Sequence, residues 1–293
     1  MAMRWLWIPA LVAVFFAGDR LAGYLLSRAV EASEFRYSRL YTDRAEADVL
    51  LVGNSRGLTY YQPALERLTN RSTFNLSYNG LPIEVASALA QDYLDRYGAP
   101  AVMLADVTML DLDNPALTQD FRVYTPYSQR LDGLLRDSFP NIWGGTRLSH
   151  LSRFGGEVAQ RAFYYIGRTD ETWLLDRIMP EGVAAAAAEF EPLDNGYTPE
   201  RVALFAEMVR RFREAGTEVY LTINPYYPAY AKTIGKLDAL MADVEAATGL
   251  KVHDYSQAIE SRELFGDYQH LNKAGAEVFL AGLVEELGLG GVN

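Results

Sequence analysis

The sequence predicts an α/β fold, a doubly wound parallel sheet with helices on both faces and a helical cap insertion after the third strand. Short apolar runs alternate with amphipathic segments, as they do when parallel strands are joined by helical crossovers. The 293 residues, 49% of them hydrophobic, suffice for one large core. One segment, 107–197, is too long for a plain crossover, which predicts an inserted cap.

The predicted strands are short runs without polar alternation, as in Val49-Leu-Leu-Val52, which is typical of strands buried on both faces. In chain order they are Asp48–Gly53, Ser72–Leu76, Ala101–Ala105, Glu218–Ile223 and Leu250–His253. Helix signals lie between them. Pro82 opens a helix that stops before Gly98, Thr198 is a predicted N-cap, and Gly249 ends the helix over 237–248. A closing helix is predicted over about 272–287.

Composition excludes several classes of function. The net charge is −11, the pI is about 4.8 and no Lys/Arg run occurs, so nucleic acid is not a predicted partner. The absence of cysteine removes disulfides, thiolate metal sites and cysteine nucleophiles. Imidazole chemistry must use one of three histidines, His150, His253 and His270.

Residues 1–30 are mostly apolar, with charges at Arg4, Asp19, Arg20 and Arg28. As a helix, the segment 5–26 would extend roughly 33 Å, enough to cross a bilayer core. We predict an uncleaved signal anchor, because Phe15 and Phe16 occupy positions that a cleavage site needs small. A cleaved signal peptide and a buried helix of a soluble domain are the alternatives. Charges inside such a segment are expected to snorkel to the interface, to meet polar groups of another helix, or to mark the end of a short anchor.

A serine stands where the first core strand ends, in Gly53-Asn54-Ser55-Arg56-Gly57. This position places the hydroxyl at the carboxyl edge of the sheet, where following amides can stabilise an oxyanion. The pattern also matches the G-x-S-x-G elbow of α/β-hydrolases, but there the serine follows several strands. A turn of small residues between strand and helix is the alternative for this motif alone.

A second motif, Asp267-Tyr-Gln-His270, precedes the closing helix. A carboxylate three residues before an imidazole can accept its Nδ1–H, which leaves Nε2 to act as general base toward Ser55. A helix-capping turn with Asn272 as N-cap is compatible with the same residues. The two motifs together predict a Ser55, Asp267 and His270 catalytic triad.

These residues resemble the SGNH/GDSL hydrolase superfamily, in outline from about Asp48 to Leu287. The similar segments are Gly53-Asn-Ser55, Asn75-Leu-Ser-Tyr-Asn-Gly80, Asp267–His270 and Leu271-Asn-Lys-Ala-Gly275. The resemblance implies an SGNH-like, flavodoxin-like three-layer fold, Ser55 as nucleophile, and an oxyanion amide at Gly80.

One block of that family is missing, because the G-x-N-D motif expected near Ala105–Thr108 has no asparagine. The oxyanion hole then uses the amides of Ser55 and Gly80, or a further donor: Asn79, Asn224 or Arg56. Arg56 could instead hold a cap carboxylate, and Asn224, before Pro225, could be a turn residue.

The remaining polar residues predict no metal or cofactor. His253 is expected to be a strand histidine, and His150 lies in the cap, where it could contact substrate. Asp106, Asp111 and Asp113 have no histidine with them and are expected to be solvated loop acids.

The predicted function is serine-dependent acyl-ester chemistry, as an esterase or an O-acyltransferase acting through an acyl-serine. The Ser-Arg after Gly-Asn and the N-terminal anchor resemble extracytoplasmic members that act with polysaccharide or teichoic-acid acylation systems. This implies a glycan substrate, a membrane O-acyltransferase partner, and a domain over 45–293 on the periplasmic side. The alternative is a non-catalytic, membrane-anchored glycan-binding or scaffold protein.

Overall fold

The computed structural model describes residues 7–111, 113–169, 173–191 and 196–290. They form two compact units, the first from segments 1–44 and 115–171 and the second from 45–114 and 172–293. Residues 1–6 of the predicted anchor, a few positions of the predicted insertion and residues 291–293 lie outside the described residues. The predicted division into an anchor over 1–30 and a domain over 45–293 with an insertion over 107–197 stays a prediction.

The second unit contains a five-stranded, all-parallel sheet in the order β2-β1-β3-β4-β5. The strands are β1 Val49–Val52, β2 Thr73–Asn75, β3 Val102–Asp106, β4 Glu218–Ile223 and β5 Val252–Asp254. Each predicted strand is present, with its ends moved by at most two residues. This is the strand order of flavodoxin-like doubly wound sheets, in which the order of addition along the sheet reverses between β1 and β3. The predicted fold class is confirmed.

Helices cover both faces of the sheet. On one face α4, α10 and α12 pack in a row, and on the other α3 packs against α13. The helices of this unit are α3 Gln62–Thr69, α4 Ile83–Tyr97, α9 Glu181–Ala186, α10 Pro199–Glu214, α11 Pro228–Ala231, α12 Leu237–Thr248 and α13 Lys273–Glu286. Because both faces are covered, every residue of β1 and β3 is buried, which explains their continuous apolar runs.

The predicted helix ends are confirmed by their caps. Asn272 accepts the Gly275 amide at 3.0 Å and begins α13, and Thr198 accepts the Arg201 amide at 3.4 Å at the start of α10. Gly249 ends α12 in the left-handed conformation, at φ +67°.

The first unit is helical. Its helices are α1 Trp7–Glu31, α2 Arg36–Leu40, α5 Pro115–Asp120, α6 Gln129–Ser138, α7 Pro140–Leu148 and α8 Glu157–Tyr164. Buried aromatic rings form much of its core, including Phe35, Tyr37, Phe121 and Tyr124. Among the described residues of 107–197 the regular elements are helices, and no strand joins the sheet.

The helix α1 has 25 residues, and its most apolar 18-residue window has a mean hydropathy of 1.4 and is 11% buried. Within the part of the chain that is described, it is the one helix long and apolar enough to be a membrane anchor or a signal sequence.

Candidate active site

Ser55 opens a 3₁₀ turn, Ser55–Thr59, immediately beyond the carboxyl end of β1. The side chain of Asn54 begins the turn, because its Oδ1 accepts the Arg56 amide at 2.9 Å. The Gly57 amide then donates to the Asn54 carbonyl oxygen at 3.1 Å. Ser55 thereby lies where ligands bind in doubly wound sheets, beside the point at which the strand order reverses.

Two glycines let the serine turn pack closely on the sheet. A Cβ on Gly53 would lie 2.8 Å from the Gly57 Cα, and one on Gly57 would overlap the side chain of Ser77. Glycine is therefore required at positions 53 and 57 because there is no space for a side chain. Asn75 fixes the same turn, since its Nδ2 donates to the carbonyl oxygens of Gly57 at 3.1 Å and Tyr60 at 3.2 Å.

Replacing Gly57 by alanine is expected to lower the free energy of unfolding by about 1–3 kcal/mol, because the new methyl group overlaps Ser77. The measurement is urea denaturation. Gly182→Ala is the matched control, since a Cβ there meets no atom within 4 Å. Equal stability of the two variants would contradict the packing argument.

The segment 267–270 brings an aspartate and a histidine to this serine. His270 Nε2 lies 2.9 Å from Ser55 Oγ, and Nδ1 lies 2.9 Å and 3.1 Å from the two carboxylate oxygens of Asp267. Asp267 Oδ1 also accepts the backbone amides of Gln269 at 2.8 Å and His270 at 2.9 Å. The structure thus brings together the three residues of the predicted triad in one hydrogen-bonded line.

The environment of Asp267 keeps its carboxylate ionised. Burial acts to raise the pKa of Asp267, but the hydrogen bond from His270 and the amides of Gln269 and His270 outweigh it, so the pKa lies below its usual value. An ionised carboxylate at this position can accept a hydrogen bond from the Nδ1–H of His270. Nε2 is then the ring atom that can take a proton from Ser55.

The turn that carries Asp267 and His270 is held to its surroundings by hydrogen bonds to backbone carbonyl oxygens. The Gly266 amide donates to the His270 carbonyl oxygen at 2.9 Å, and the Asn272 amide donates to Leu264 at 3.0 Å. Asn272 Nδ2 donates to the Glu263 carbonyl oxygen at 2.7 Å. The residue that caps α13 therefore also orients the turn that carries His270.

A cavity of about 350 Å³ opens beside the triad, within the range of small-molecule sites. Besides the triad it is lined by Leu58, Thr59, Asn79, Gly80, Trp173, Leu174, Leu175 and Leu271. The Trp173 ring packs on Tyr78 with 5.0 Å between centroids, and the Leu175 carbonyl oxygen accepts the Lys273 amide at 3.2 Å. One wall of the cavity is therefore apolar and fixed at both ends.

Two of the predicted oxyanion residues lie on the cavity wall. Asn79 and Gly80 occupy the centre of a turn closed by the Leu81 amide and the Tyr78 carbonyl oxygen, 3.1 Å apart. Gly80 has φ +70°, as a type II turn requires. The Asn114 side chain holds this turn by donating to the Gly80 carbonyl oxygen at 3.0 Å.

Arg56 lies beneath the cavity, with 3% of its surface exposed. Its guanidinium donates to the carbonyl oxygens of Asn224, Pro225 and Gln269, and packs over the Tyr226 ring at 3.2 Å. These bonds connect the serine turn with the loop after β4 and with the turn that carries His270.

Two further buried polar residues, Asn224 and Asp106, belong to the same network. Asn224 is fully buried and donates from Nδ2 to the Arg56 carbonyl oxygen at 3.1 Å. Asp106 lies where the missing asparagine block was expected, and the expectation that it is a solvated loop acid is wrong, because it is the last residue of β3 and is fully buried. Its carboxylate accepts a hydrogen bond from the Thr108 amide at 2.8 Å and lies 3.9 Å from the Arg56 guanidinium. Neither Asn224 nor Arg56 is among the residues that line the cavity.

The other two histidines are placed elsewhere. His253 lies on β5 with Nδ1 3.5 Å from Glu286, beside a separate cavity of about 540 Å³. His150 belongs to the first unit. Among the described residues no group of three or more His, Asp or Glu side chains is arranged to hold a metal ion.

No protein-family model matches the chain, and no curated protein matches it. Among solved structures, a candidate acylhydrolase from Bacteroides fragilis NCTC 9343 is similar at a TM-score of 0.39 and 11% sequence identity, over 82% of this chain and 86% of that one. The chain's own fold and site define a three-layer α/β protein with a Ser-His-Asp constellation at the carboxyl edge of its sheet.

Proposed function

We propose that this protein is a serine-dependent acyl-ester enzyme whose nucleophile is Ser55. The observation that carries the proposal is the unbroken line of contacts from Ser55 Oγ through both ring nitrogens of His270 to the Asp267 carboxylate. This is the arrangement in which a hydroxyl becomes a nucleophile, because a base accepts its proton and a carboxylate orients that base.

In the first half-reaction Ser55 Oγ attacks the ester carbonyl carbon while His270 Nε2 takes the hydroxyl proton. The tetrahedral oxyanion then collapses, the bond to the leaving oxygen breaks, and His270 returns its proton to that oxygen. The product is an acyl-Ser55 ester and a free alcohol. In the second half-reaction water or another hydroxyl attacks the acyl carbon and gives its proton to His270. The tetrahedral oxyanion then collapses, the bond between the acyl carbon and Ser55 Oγ breaks, and His270 returns the proton to Oγ.

For the oxyanion we propose the amides of Ser55 and Gly80, with the Asn79 side chain as third donor. Gly80 and Asn79 line the cavity beside Ser55. Two rival donors are engaged elsewhere, since the Arg56 amide donates to Asn54 and the Asn224 side-chain amide donates to the Arg56 carbonyl oxygen. Each donor aimed at the oxyanion is worth about 10²–10³ in rate.

We further propose that the acceptor is an extracytoplasmic glycan and that α1 anchors the protein on the periplasmic side of a membrane. An acceptor glycan makes the enzyme an O-acyltransferase, and water makes it an esterase. Both use the same triad. The resemblance to polysaccharide acylation proteins supports a membrane O-acyltransferase as the partner that supplies the acyl group.

Labelling with a serine-reactive fluorophosphonate tests the proposed nucleophile. The reagent is expected to modify Ser55 in the native protein and to leave Ser55→Ala unlabelled. The control is Ser261→Ala, which removes an exposed serine of the same unit and should label normally. Native protein that resists the reagent would support the alternative, a binding or scaffold protein.

Activity is expected to rise with pH, because His270 must be neutral to accept the Ser55 proton. Asp267 has a pKa below its usual value, so protonation of its carboxylate is not expected to contribute to the loss of activity on the acid side. The measurement is kcat/KM for a neutral ester between about pH 4 and pH 8. A rate that does not change over this range would exclude His270 as the base.

A further inference from the structure

The helix α1 is divided into two parts by its exposure. Every residue from Trp7 to Gly18 is exposed, on all faces of the helix, whereas Asp19, Gly23 and Val30 are buried. The exposed part includes large apolar side chains: Trp7, Ile8, Leu11, Val12, Val14, Phe15 and Phe16. A helix that is apolar all round requires an apolar medium rather than water.

Asp19 attaches the helix to the rest of the first unit. Its carboxylate accepts Ser149 Oγ at 2.5 Å and the amides of His150 at 2.8 Å and Leu151 at 3.2 Å. It thereby caps the 3₁₀ turn Leu151–Phe154. Asp19, the charged residue predicted to interrupt a membrane segment, is thus only 4% exposed and connects α1 to the rest of its unit. We call these contacts of Asp19 the joint.

This joint argues that α1 is retained in the mature protein. Cleavage after α1 would remove the carboxylate that satisfies the amides of His150 and Leu151. It would also uncover the place where Gly23 meets His150 so closely that a Cβ would overlap the His150 side chain. A signal peptide destined for removal has no need of such contacts.

The contacts of this joint also determine which residues lie beside α1 next to Gly18, where the fully exposed part of the helix meets the first unit. The Arg20 guanidinium donates to the carbonyl oxygens of Arg147 at 3.3 Å and Leu148 at 3.2 Å. Leu148 is 66% exposed and Leu151 is 41% exposed, although both adjoin the joint. We use the name collar for the four residues at this level of α1, which are Arg20, Arg147, Leu148 and Leu151.

We propose that the collar rests in the interfacial layer of a phospholipid bilayer, with Leu148 and Leu151 inserted beside α1. The inference rests on the apolar part of α1 entering that bilayer. If it does, residues hydrogen-bonded to Arg20 must lie at the level where the helix leaves the lipid. Exposed leucines gain free energy there by burial, and arginine side chains reach the phosphate groups.

The arginines of the collar have a supporting role. Arg20 is paired with Asp19 at 2.5 Å and Arg147 with Asp132 at 2.7 Å, so neither carries a free positive charge. Both remain partly exposed, at 39% and 52% of their side chains. The bilayer contact is therefore carried by apolar insertion, and the first unit is held at a fixed depth instead of swinging on a flexible tether.

Single-cysteine labelling tests this placement, because the chain has no cysteine of its own. Full-length variants Val14→Cys, Leu148→Cys, Leu151→Cys and Ile166→Cys would carry an environment-sensitive fluorophore and be reconstituted in phosphatidylcholine–phosphatidylglycerol vesicles. Lipids with a spin label at a shallow or deep acyl position then quench the dye. Ile166 is the matched control, since it is 44% exposed and pairs with Ser33 beyond the other end of α1.

We expect deep quenching at position 14, shallow quenching with blue-shifted emission at 148 and 151, and no loss of emission at 166. If position 14 is quenched while 148 and 151 behave like 166, the helix is an anchor and the collar stays in water, which overturns the proposal. If position 14 is unquenched, the helix does not enter the bilayer and the proposal fails at its basis. Neither outcome bears on Ser55 chemistry.

Discussion

Replacing Ser55 or His270 by alanine is expected to lower kcat/KM for an activated ester by a factor of about 10⁴–10⁶. The first change removes the proposed nucleophile, and the second removes the proposed base, whose Nε2 lies 2.9 Å from Ser55 Oγ. The measurement is steady-state hydrolysis of a chromogenic ester by purified variants whose thermal unfolding matches that of the native protein. The control is His253→Ala, which removes a histidine outside the cavity.

The double variant gives a second readout. If Ser55 and His270 act as one unit, as we propose, removing both should lower kcat/KM about as much as removing either alone. Additive losses would show that the two residues contribute separately. Activity of Ser55→Ala close to the native level would exclude Ser55 as the nucleophile.

Asp267→Asn is expected to reduce kcat by about 10⁴ while the fold is retained. The amide keeps an oxygen that can accept the Gln269 and His270 backbone amides, which Asp267 Oδ1 accepts at 2.8 Å and 2.9 Å. It loses the negative charge that holds the Nδ1 proton, so His270 is free to take the tautomer in which Nε2 carries a proton and cannot act as base. The measurement is kcat together with the melting temperature.

Asp238→Asn is the matched control, because it removes the same charge from the same unit at a distance from Ser55. Asp238 lines the separate cavity beside His253. If Asp267→Asn kept most of its kcat, the carboxylate would be a turn residue and not a catalytic partner. If Asp267→Asn unfolded, its loss of activity would reflect lost structure and not lost catalysis. The rate of fluorophosphonate labelling of the remaining folded fraction would then be measured, and slower labelling than in the native protein would show that Asp267 supports the reactivity of Ser55.

Local signals sufficed to predict the fold. The strands were recognisable because burial on both faces removes polar alternation, as in Val49–Val52. The helix ends were recognisable because capping is a short-range interaction, as at Asn272 and Gly249. A doubly wound sheet then follows from the alternation of strands and helices, since few topologies satisfy it.

The triad was predictable for a related reason. Parallel strands place their carboxyl ends on one edge, so a serine after β1 and a histidine before the last helix can meet although 215 residues separate them. What the sequence did not indicate is the support around them. Asn75, which fixes the serine turn, stands in a segment for which only Asn79 and Gly80 are predicted to have a role.

Trp173 and Leu175 were also missed, because the long insertion has no periodicity that would assign its residues to the site. The role of Arg56 depends on carbonyl oxygens at positions 224, 225 and 269, which no local pattern connects. The same holds for Asp19, whose partners lie 130 to 132 residues away. Side-chain contacts across such distances follow from the fold and not from the spacing.

The central claim is that Ser55 carries the acyl group, and trapping that ester tests it most directly. The protein would be mixed with an excess of an activated ester, quenched in acid within the first turnover, digested, and analysed by mass spectrometry. We predict one added acyl group on the peptide that contains Ser55, and none on the same peptide from Ser55→Ala. Turnover of the ester with an unmodified Ser55 peptide, or with the acyl group on another residue, would contradict the account.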